Sequence, residues 1–278
     1  MNQIERNIIV GSLLGDGSLA LYGRSKNAHY REHGGDSQIE YRKWKATKLA
    51  NLGFKFSTGG KYGKLSSPSS EIFTELYKLY YQDRIKTITH ENIKLLDHPI
   101  GLACLYMDDG SLVINSSTSR KNGIYIFPQV LIYSLCFSKE ENIILCDHIK
   151  STFDIEFSLK NRPDGKNFIL QISKRNELMR FITLVKPYVD EIDCMKYKVD
   201  VKERLIINQD RLEGKYPNKN ITVASFDIED NSYSKNDELT IQRMKKEKFT
   251  DKEIAAMLNR PYWGIVDKIR RMRKNEEL

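Results

Sequence analysis

"IVGSLLGDG", residues 9–17, is an apolar run with glycines at positions 11, 15 and 17 around a single acid, Asp16. "LACLYMDDG", residues 102–110, has the same form and places Asp109 93 residues after Asp16. Each stretch reads as a helix closed by an Asp-Gly turn. Gly11 aligns with Cys104 and Gly15 with Asp108, so small side chains stand where two such helices could approach backbone to backbone. The expectation is a crossing at Gly11 and Cys104 that delivers Asp16 and Asp109 to one place. Paired carboxylates beside helix C-termini, where carbonyl oxygens also point, repel each other unless cations neutralise them. Hard oxygen ligands of this kind suit Mg²⁺ or Mn²⁺.

The text around the two stretches repeats as well. Asn2, with Glu5 three residues on, is a capping-box start for the first helix. Strand-like "SLALYG" and "NAHYREHG" follow, then a helix over about 38–52, a hairpin in "FKFSTGGKYGKLS" and a helix in "SSEIFTELYKLYY". The second half opens at Asp97, a candidate N-cap ahead of Pro99. It continues with strands in "SLVINSS" and "IYIFPQVLIYSLCF", a helix in "SKEENIILCDHIKSTF", a hairpin in "IEFSLKNRPDGKNFILQISK" and a helix in "RNELMRFITLVKPYV". The order αββαββα occurs twice. This predicts an α+β fold of two pseudo-symmetric subdomains, 1–97 and 98–200, with antiparallel sheets and the repeated helices at the centre. Residues 201–235 read as a helix and linker. Residues 236–278 read as three short helices, with Thr250 and Glu253 as a capping box and Pro261 opening the last, in the manner of a helix-turn-helix.

Over 278 residues, 45 Lys+Arg against 37 Asp+Glu give a formal charge of +8, which favours an anionic partner, nucleic acid first. The four cysteines form no CxxC pair, so neither a zinc site nor a disulfide framework is indicated, and reduced intracellular thiols are expected. The opening residues lack a cationic signal region, and their apolar run is too short to span a bilayer, which predicts a soluble protein without a membrane. The histidines, among them His29 and His33, show no ligand or catalytic spacing.

The two stretches, one repeat apart and each followed by a strand, resemble the signature helices of LAGLIDADG homing endonucleases in their single-chain, two-motif form. The resemblance covers about residues 1–200. It implies a monomer that cleaves both strands of double-stranded DNA at long, rare sites, with curved four-stranded sheets lying in the major groove. It implies that Asp16 and Asp109, the last acids of the motifs, bind the divalent metal ions, assisted by the carbonyls of Gly15 and Asp108. In the same way Gln38, in "SQIEYRKWK", is the residue implied to position water. "SLCFSKEEN" offers only Ser138 or Lys139 there, so the two sites are expected to differ. Lys86, before the second motif, and Lys198, in "CMKYKV", are implied to lie over the scissile phosphates, with Lys196 a lesser fit. A lysine there offsets phosphate charge and polarises water. The competing reading of these residues is plain: Asp-Gly turns that end helices, solvated lysines, and an ordinary helix start at Gln38.

Alternate strand residues facing a groove would read bases and hold phosphates. The candidates are Arg24, Lys26, Tyr30, Arg31, Lys61, Lys64, Arg120, Lys121, Lys160, Arg162, Lys166 and Gln171, residues that any polar sheet face would also carry. Residues 236–278 hold eleven Lys+Arg and eight Asp+Glu. If they dock as a helix-turn-helix, Arg260, Tyr262 and Trp263 meet bases while Lys268, Arg270 and Arg271 meet phosphates. Otherwise Tyr262 and Trp263 are core residues of a small interaction domain. The second functional reading is a non-catalytic binder, either a maturase for its own intron RNA or a transcription regulator; two retained acids argue against the regulator.

Overall fold

The computed structural model describes residues 1–59, 62–118, 123–134, 136–162, 165, 167–224, 233–260 and 262–274. Lys61, Arg120, Lys121 and Lys166, and Pro261 with them, lie outside the described residues. The chain divides into two compact units, Met1–Ser225 and Phe226–Leu278.

In the first unit, α1 (Gln3–Leu14) starts as its sequence dictates. The Asn2 side chain accepts from Glu5 N–H, and the Glu5 carboxylate accepts from Asn2 N–H, each at 2.8 Å. Its counterpart α4 (Pro99–Asp109) is capped by His98, whose ring accepts from Ile100 N–H, and not by Asp97. Asp97 instead reaches back to the first half and accepts from Arg6 and Asn7 at 2.6 Å each. Asn7 is fully buried, and its amide needs those partners.

The two helices pack against each other at the centre of the unit. The backbones meet at Gly11 and Gly101, one turn before the expected Cys104. A Cβ on Gly11 would fall well inside contact distance of the Gly101 carbonyl. Four residues on, a Cβ on Gly15 would stand 2.5 Å from Asp108 Cβ and 2.9 Å from its Oδ2. Gly15 is therefore the space that Asp108 occupies.

Each half then builds one sheet. In the first, β1 (Ser18–Ala20), β2 (His29–Gly35), β3 (Lys55–Gly59) and β4 (Tyr62–Ser66) run in the order β1-β2-β4-β3, all antiparallel, with α2 (Ile39–Lys48) and α3 (Glu71–Tyr80) between and after them. A short hairpin not foreseen from the sequence follows, β5 (Tyr81–Gln82) and β6 (Ile85–Lys86). Its turn residues Asp83 and Arg84 hold φ of 48° and 67°, left-handed values that a two-residue hairpin turn demands. In the second half, β7 (Gly110–Thr118), β8 (Gly123–Ile132), β9 (Ser158–Asn161) and β10 (Phe168–Ile172) repeat the order as β7-β8-β10-β9, with α5 (Lys139–Phe153) and α6 (Arg175–Val189) in the equivalent places. Residues 201–224 belong to this unit: α7 (Val201–Lys215) covers β7 and β8, and β11 (Asn220–Val223) adds in parallel to β8.

Strand alternation decides which side chains see solvent. Leu112, Ile124, Ile126, Val130, Ile132 and Leu170 face the helices, each 6% exposed or less, and such burial stabilises by about 1.5–3 kcal/mol per side chain. The opposite faces are open. On the first sheet, Ser18, Arg31, Ser66 and Lys55 form one row, and His33, Lys64 and Ser57 the next. Tyr30 stands one residue out of phase with that face. It is 1% exposed and donates to Glu32 at 2.6 Å, so its expected place as a groove contact is corrected: it is a core residue.

The second unit holds α8 (Lys235–Lys246), α9 (Asp251–Met257) and α10 (Tyr262–Lys274) around Ile241, Met244, Ile254, Ala255, Ile265, Ile269 and Met272. The Thr250–Glu253 capping box opens α9. Trp263 is 73% exposed and Tyr262 39%, so neither is a core residue.

Candidate active site

The site is assembled at the C-terminal ends of α1 and α4, where Asp16 and Asp109 precede their glycines. Asp109 is largely buried, and its pKa is raised to about 6, first by burial and then by the negative charge of Asp16, against the pull of Lys86 and Lys198. Asp16 N–H donates to Asp108 Oδ2 at 3.3 Å, so the helix ends that carry the two acids lie side by side. Asp16 keeps a third of its side chain in solvent and pairs with Arg42 at 3.2 Å.

Each helix end carries one lysine, Lys86 half-buried and Lys198 buried. Lys86 Nζ donates to the carbonyls of Gly15 (3.2 Å) and Gly17 (2.9 Å). Lys198 Nζ donates to those of Met107 (2.5 Å) and Gly110 (2.9 Å). The carbonyls of Gly15, Met107 and Gly110 belong to the helix ends and that of Gly17 to the turn that follows α1; each is satisfied by a cation that also complements the helix dipole. Burial lowers the pKa of both lysines, and the surrounding acids, Asp16 and Asp109 among them, oppose it. The Gly15 carbonyl, expected to assist a metal, is thus held by Lys86.

The halves differ beyond this floor. In the first, Arg42 on α2 is fully buried. It reaches Asp16, donates to the Gln38 side chain at 2.9 Å and to the His33 carbonyl at 2.9 Å, and lies 3.3 Å from Glu32. Gln38 therefore connects to Asp16 through a residue that the motifs alone do not mark. Arg42 sits four residues after Gln38, the spacing that puts two helical side chains on one face, and this spacing is the signal the sequence carries for it. Behind it, Lys45 Nζ bridges Glu32 and Asp108 at 2.9 Å each, with all three side chains fully buried. Burial works to lower Lys45, but Asp108 and Glu32 override it and raise its pKa. Burial works to raise Glu32, and Lys45 and Arg42 override that in turn. Asp108, buried beside two further acids and held back by Lys45, is pushed up to about 7.

The second half answers this ionic cluster with neutral groups. By register and by distance from the helix caps, Ile132 stands where Glu32 does, Leu145 where Lys45 does and Asn142 where Arg42 does. Ser138 is the cap of α5, engaged with Glu141, and Asn142 donates to the carbonyls of Phe137 and Ser138.

Oxygen atoms of Asp16, Glu32 and Asp108 all lie within 4.8 Å of one another. Glu32 and Asp108 are already neutralised by Lys45 and Arg42 and have no access to solvent, which leaves them as framework. Of the acids at the helix ends, that leaves Asp16, one-third exposed and paired with Arg42, and Asp109 with access to solvent, an oxygen-only set of the kind that suits a hard cation.

The remaining candidates fall in several places. Arg31 faces the open sheet, with Nη1 2.5 Å from the Tyr22 hydroxyl and the guanidinium over that ring. Arg24, Lys26, Lys64 and Lys160 are exposed or nearly so, Arg162 follows β9, and Gln171 donates to Gln129 on the open face of the second sheet. His29 and His33, set aside in the sequence, share the open face of β2. In the second unit Arg260 pairs with Asp237 and Lys268 with Glu238, both beside the Tyr233 ring. Arg270 and Arg271 are exposed. All four cysteines are free, and among the described residues no helix is long and apolar enough to cross a membrane.

Residues 6–179 match the model of the LAGLIDADG DNA endonuclease family. The chain is 30% identical over 196 residues to "Protein RecA" of Mycobacterium gastri, a match covering 69% of this chain and 46% of that protein. It thus spans less than half of the RecA relatives it matches. It is 25% identical over 221 residues to "DNA endonuclease I-ChuI" of Chlamydomonas applanata, covering 72% of this chain and 95% of that one. Its fold is shared with the homing endonuclease I-WcaI bound to its DNA recognition sequence (TM-score 0.57, 20% identity, 71% of this chain and 86% of the other). It is shared also with a lysine-to-alanine mutant of I-SmaMI (TM-score 0.51, 11% identity, 77% and 94%). With the duplicated αββαββα architecture, the paired central helices and a family match across both, the chain belongs to the LAGLIDADG DNA endonuclease family.

Proposed function

We propose that the protein is a monomeric, divalent-metal-dependent endonuclease that recognises a long double-stranded DNA site and hydrolyses one phosphodiester in each strand. What supports this reading is the contact between the two helix ends, where Asp16 N–H donates to Asp108 Oδ2 at 3.3 Å with Asp109 next in the chain, and Lys86 and Lys198 hold the adjoining carbonyls. Asp16 and Asp109 would hold the ions, Mg²⁺ or Mn²⁺, which when bound activate water and stabilise the leaving oxygen. The other roles belong to the chain itself. Arg42 orients Asp16 and Gln38, and Gln38 presents its amide toward the water. Lys86 and Lys198 fix the two helix ends and place positive charge beside each scissile phosphate. Subdomains 1–97 and 98–200 each contribute one acid and one lysine, and the ion-paired first site differs from the neutral second.

The test is cleavage of a pool of long random-sequence duplexes by the full chain, in Mg²⁺ and in EDTA, with the new ends sequenced. Cuts in both strands at one common sequence, in Mg²⁺ only, are expected. Enrichment of a sequence without cutting in either Mg²⁺ or Mn²⁺ would favour the non-catalytic binder, and selective retention of intron RNA its maturase form.

Residues 236–278 serve in this reading as a helix-turn-helix that lengthens the DNA-binding surface. Exposed Tyr262 and Trp263 at the start of α10 support base contact, and Arg270 and Arg271 phosphate contact. Arg260 and Lys268 brace the module through Asp237 and Glu238. Deleting 236–278 is expected to weaken duplex binding and to lower the slope of log K against log salt by about one for each phosphate no longer neutralised, while cutting persists. A titration across salt concentrations reads both effects.

A further inference from the structure

The parallel strand β11 has no equivalent among the described residues of the first half. It pairs with the outer end of β8, Asn220 opposite Gly123 through Val223 opposite Ile126, whereas β10 pairs with the inner end, Val130 to Ile132. Since β7 follows β8 along its other edge from Gly110 to Thr118, β10 and β11 occupy the same edge in succession. β11 therefore prolongs the second sheet outward. Ile221 pairs with Ile124 on the helix-covered side and is 9% exposed. Thr222 and Asn220 fall on the other side, where Thr222, Tyr125 and Ser117 form one row across three strands. That is the open face, which also carries Gln129 with Asn115 and Gln171 hydrogen-bonded to its Oε1 at 2.5 and 2.7 Å.

We propose that β11 is an added DNA-reading strand, with Asn220 and Thr222 meeting base edges in the major groove at the outer end of the half-site under the second sheet, and Lys219 holding a flanking phosphate. The proposal rests on the duplex-cutting reading above. A major groove admits a β ribbon, an asparagine amide matches adenine N6 and N7, and a threonine methyl packs on the thymine methyl. The cation is seated at the strand's entry: Lys219 Nζ lies 5.0 Å and Lys215 Nζ 5.3 Å from the centre of the Tyr216 ring. The position along the site follows from spacing. Ile132 pairs with Gly110 at the catalytic floor and Tyr125 lies seven residues up the same strand. At about 3.3 Å per strand residue and about 3.4 Å per base pair, the Tyr125–Thr222 row stands roughly seven base pairs out from the floor. On this account the half-site under the second sheet is read further from the cut than the half-site under the first.

The experiment is enrichment of a randomised duplex pool by the full chain and by the Asn220→Ala/Thr222→Ala variant, both substitutions being at surface positions, with base preference compared position by position. The double variant is expected to lose roughly 5- to 100-fold discrimination at two or three adjacent outer base pairs of one half-site only, with the inner positions unchanged. Lys219→Ala should weaken all sequences alike and lower the salt slope by about one. Asn220→Arg should shift the preference at its position toward guanine, an outcome that a merely unfolded strand would not give. Identical preferences for the parent and the double variant at every position overturn the role of β11 and leave the endonuclease reading standing. A parent chain that enriches no duplex sequence overturns both.

Discussion

Asp109→Asn is expected to abolish double-strand cutting, by about a thousandfold or more, while binding to the selected duplex changes only a few-fold; Asp16→Asn is expected to do the same. The side chains differ by one atom, so the floor keeps its shape and loses the charge that would hold a cation. For Asp109 the same substitution should also stabilise the metal-free protein. Its folded-state pKa, about 6, lies above the ordinary 3.8, so between those values the folded form binds more protons than the unfolded one and stability falls as pH rises. Above pH 6 the whole cost of the buried charge is present. A neutral amide removes it, so in EDTA the variant should be more stable than the parent at pH 8, by about 1–3 kcal/mol, with the difference shrinking toward pH 4. Thermal melts at both pH values measure this. A gain that is equal at pH 4 and pH 8 would take the acid out of the buried, charge-coupled position described above, and unimpaired cutting would take it out of the chemistry.

Lys45→Met should be the most damaging single change in the framework. It strips the ammonium from between Glu32 and Asp108, both with fully buried side chains, and leaves Glu32 with Arg42 as its cation beside the Tyr30 hydroxyl and Asp108 without its cation. Breaking a buried pair in this way costs about 3–5 kcal/mol, a large part of the about 5–15 kcal/mol that holds an ordinary domain folded. Chemical denaturation of the full chain gives the value. The second half supplies the control: Glu32→Ile, Arg42→Asn, Lys45→Leu and Asp108→Gly together install the residues found at Ile132, Asn142, Leu145 and Gly15, and Tyr30→Phe removes the hydroxyl that bonds Glu32. This combination should recover most of the loss, because apolar replacement of a whole buried ionic cluster is often neutral. If Lys45→Met melted like the parent, the cluster would not be holding the halves together.

The large-scale architecture is legible in the sequence because its signals are local and doubled. The Asn2–Glu5 and Thr250–Glu253 caps sit where their helices begin, and the strand alternation of "LVINSS" and "IYIFPQVLI" is carried by β7 and β8. What escapes depends on the third dimension. Cys104 aligns with Gly11 and so marks the crossing in sequence, but the helices meet at Gly101, where a second glycine lets the backbones touch. Arg42 and Lys45 have the look of solvent-facing charges on a polar helix; only the placement of Glu32 and Asp108 makes them interior. Tyr30 is one residue out of phase with Arg31, and a single step along a strand reverses the face. β11 is hidden for a different reason: four residues of strand after "GKYPNK" carry no periodicity that a window can resolve, and the edge of β8 that receives them is remote in sequence.

The complementarity of Gly15 and Asp108 also fixes which halves can be partners. Two copies of residues 1–97 would bring glycine to glycine and leave each Lys45 with one carboxylate fewer beside it. Two copies of residues 98–200 would set acid against acid at the crossing, with Leu145 in place of any neutralising amine. The unlike pairing balances both space and charge, so the glycine of one half and the acid of the other are shaped for each other and not for a second copy of themselves.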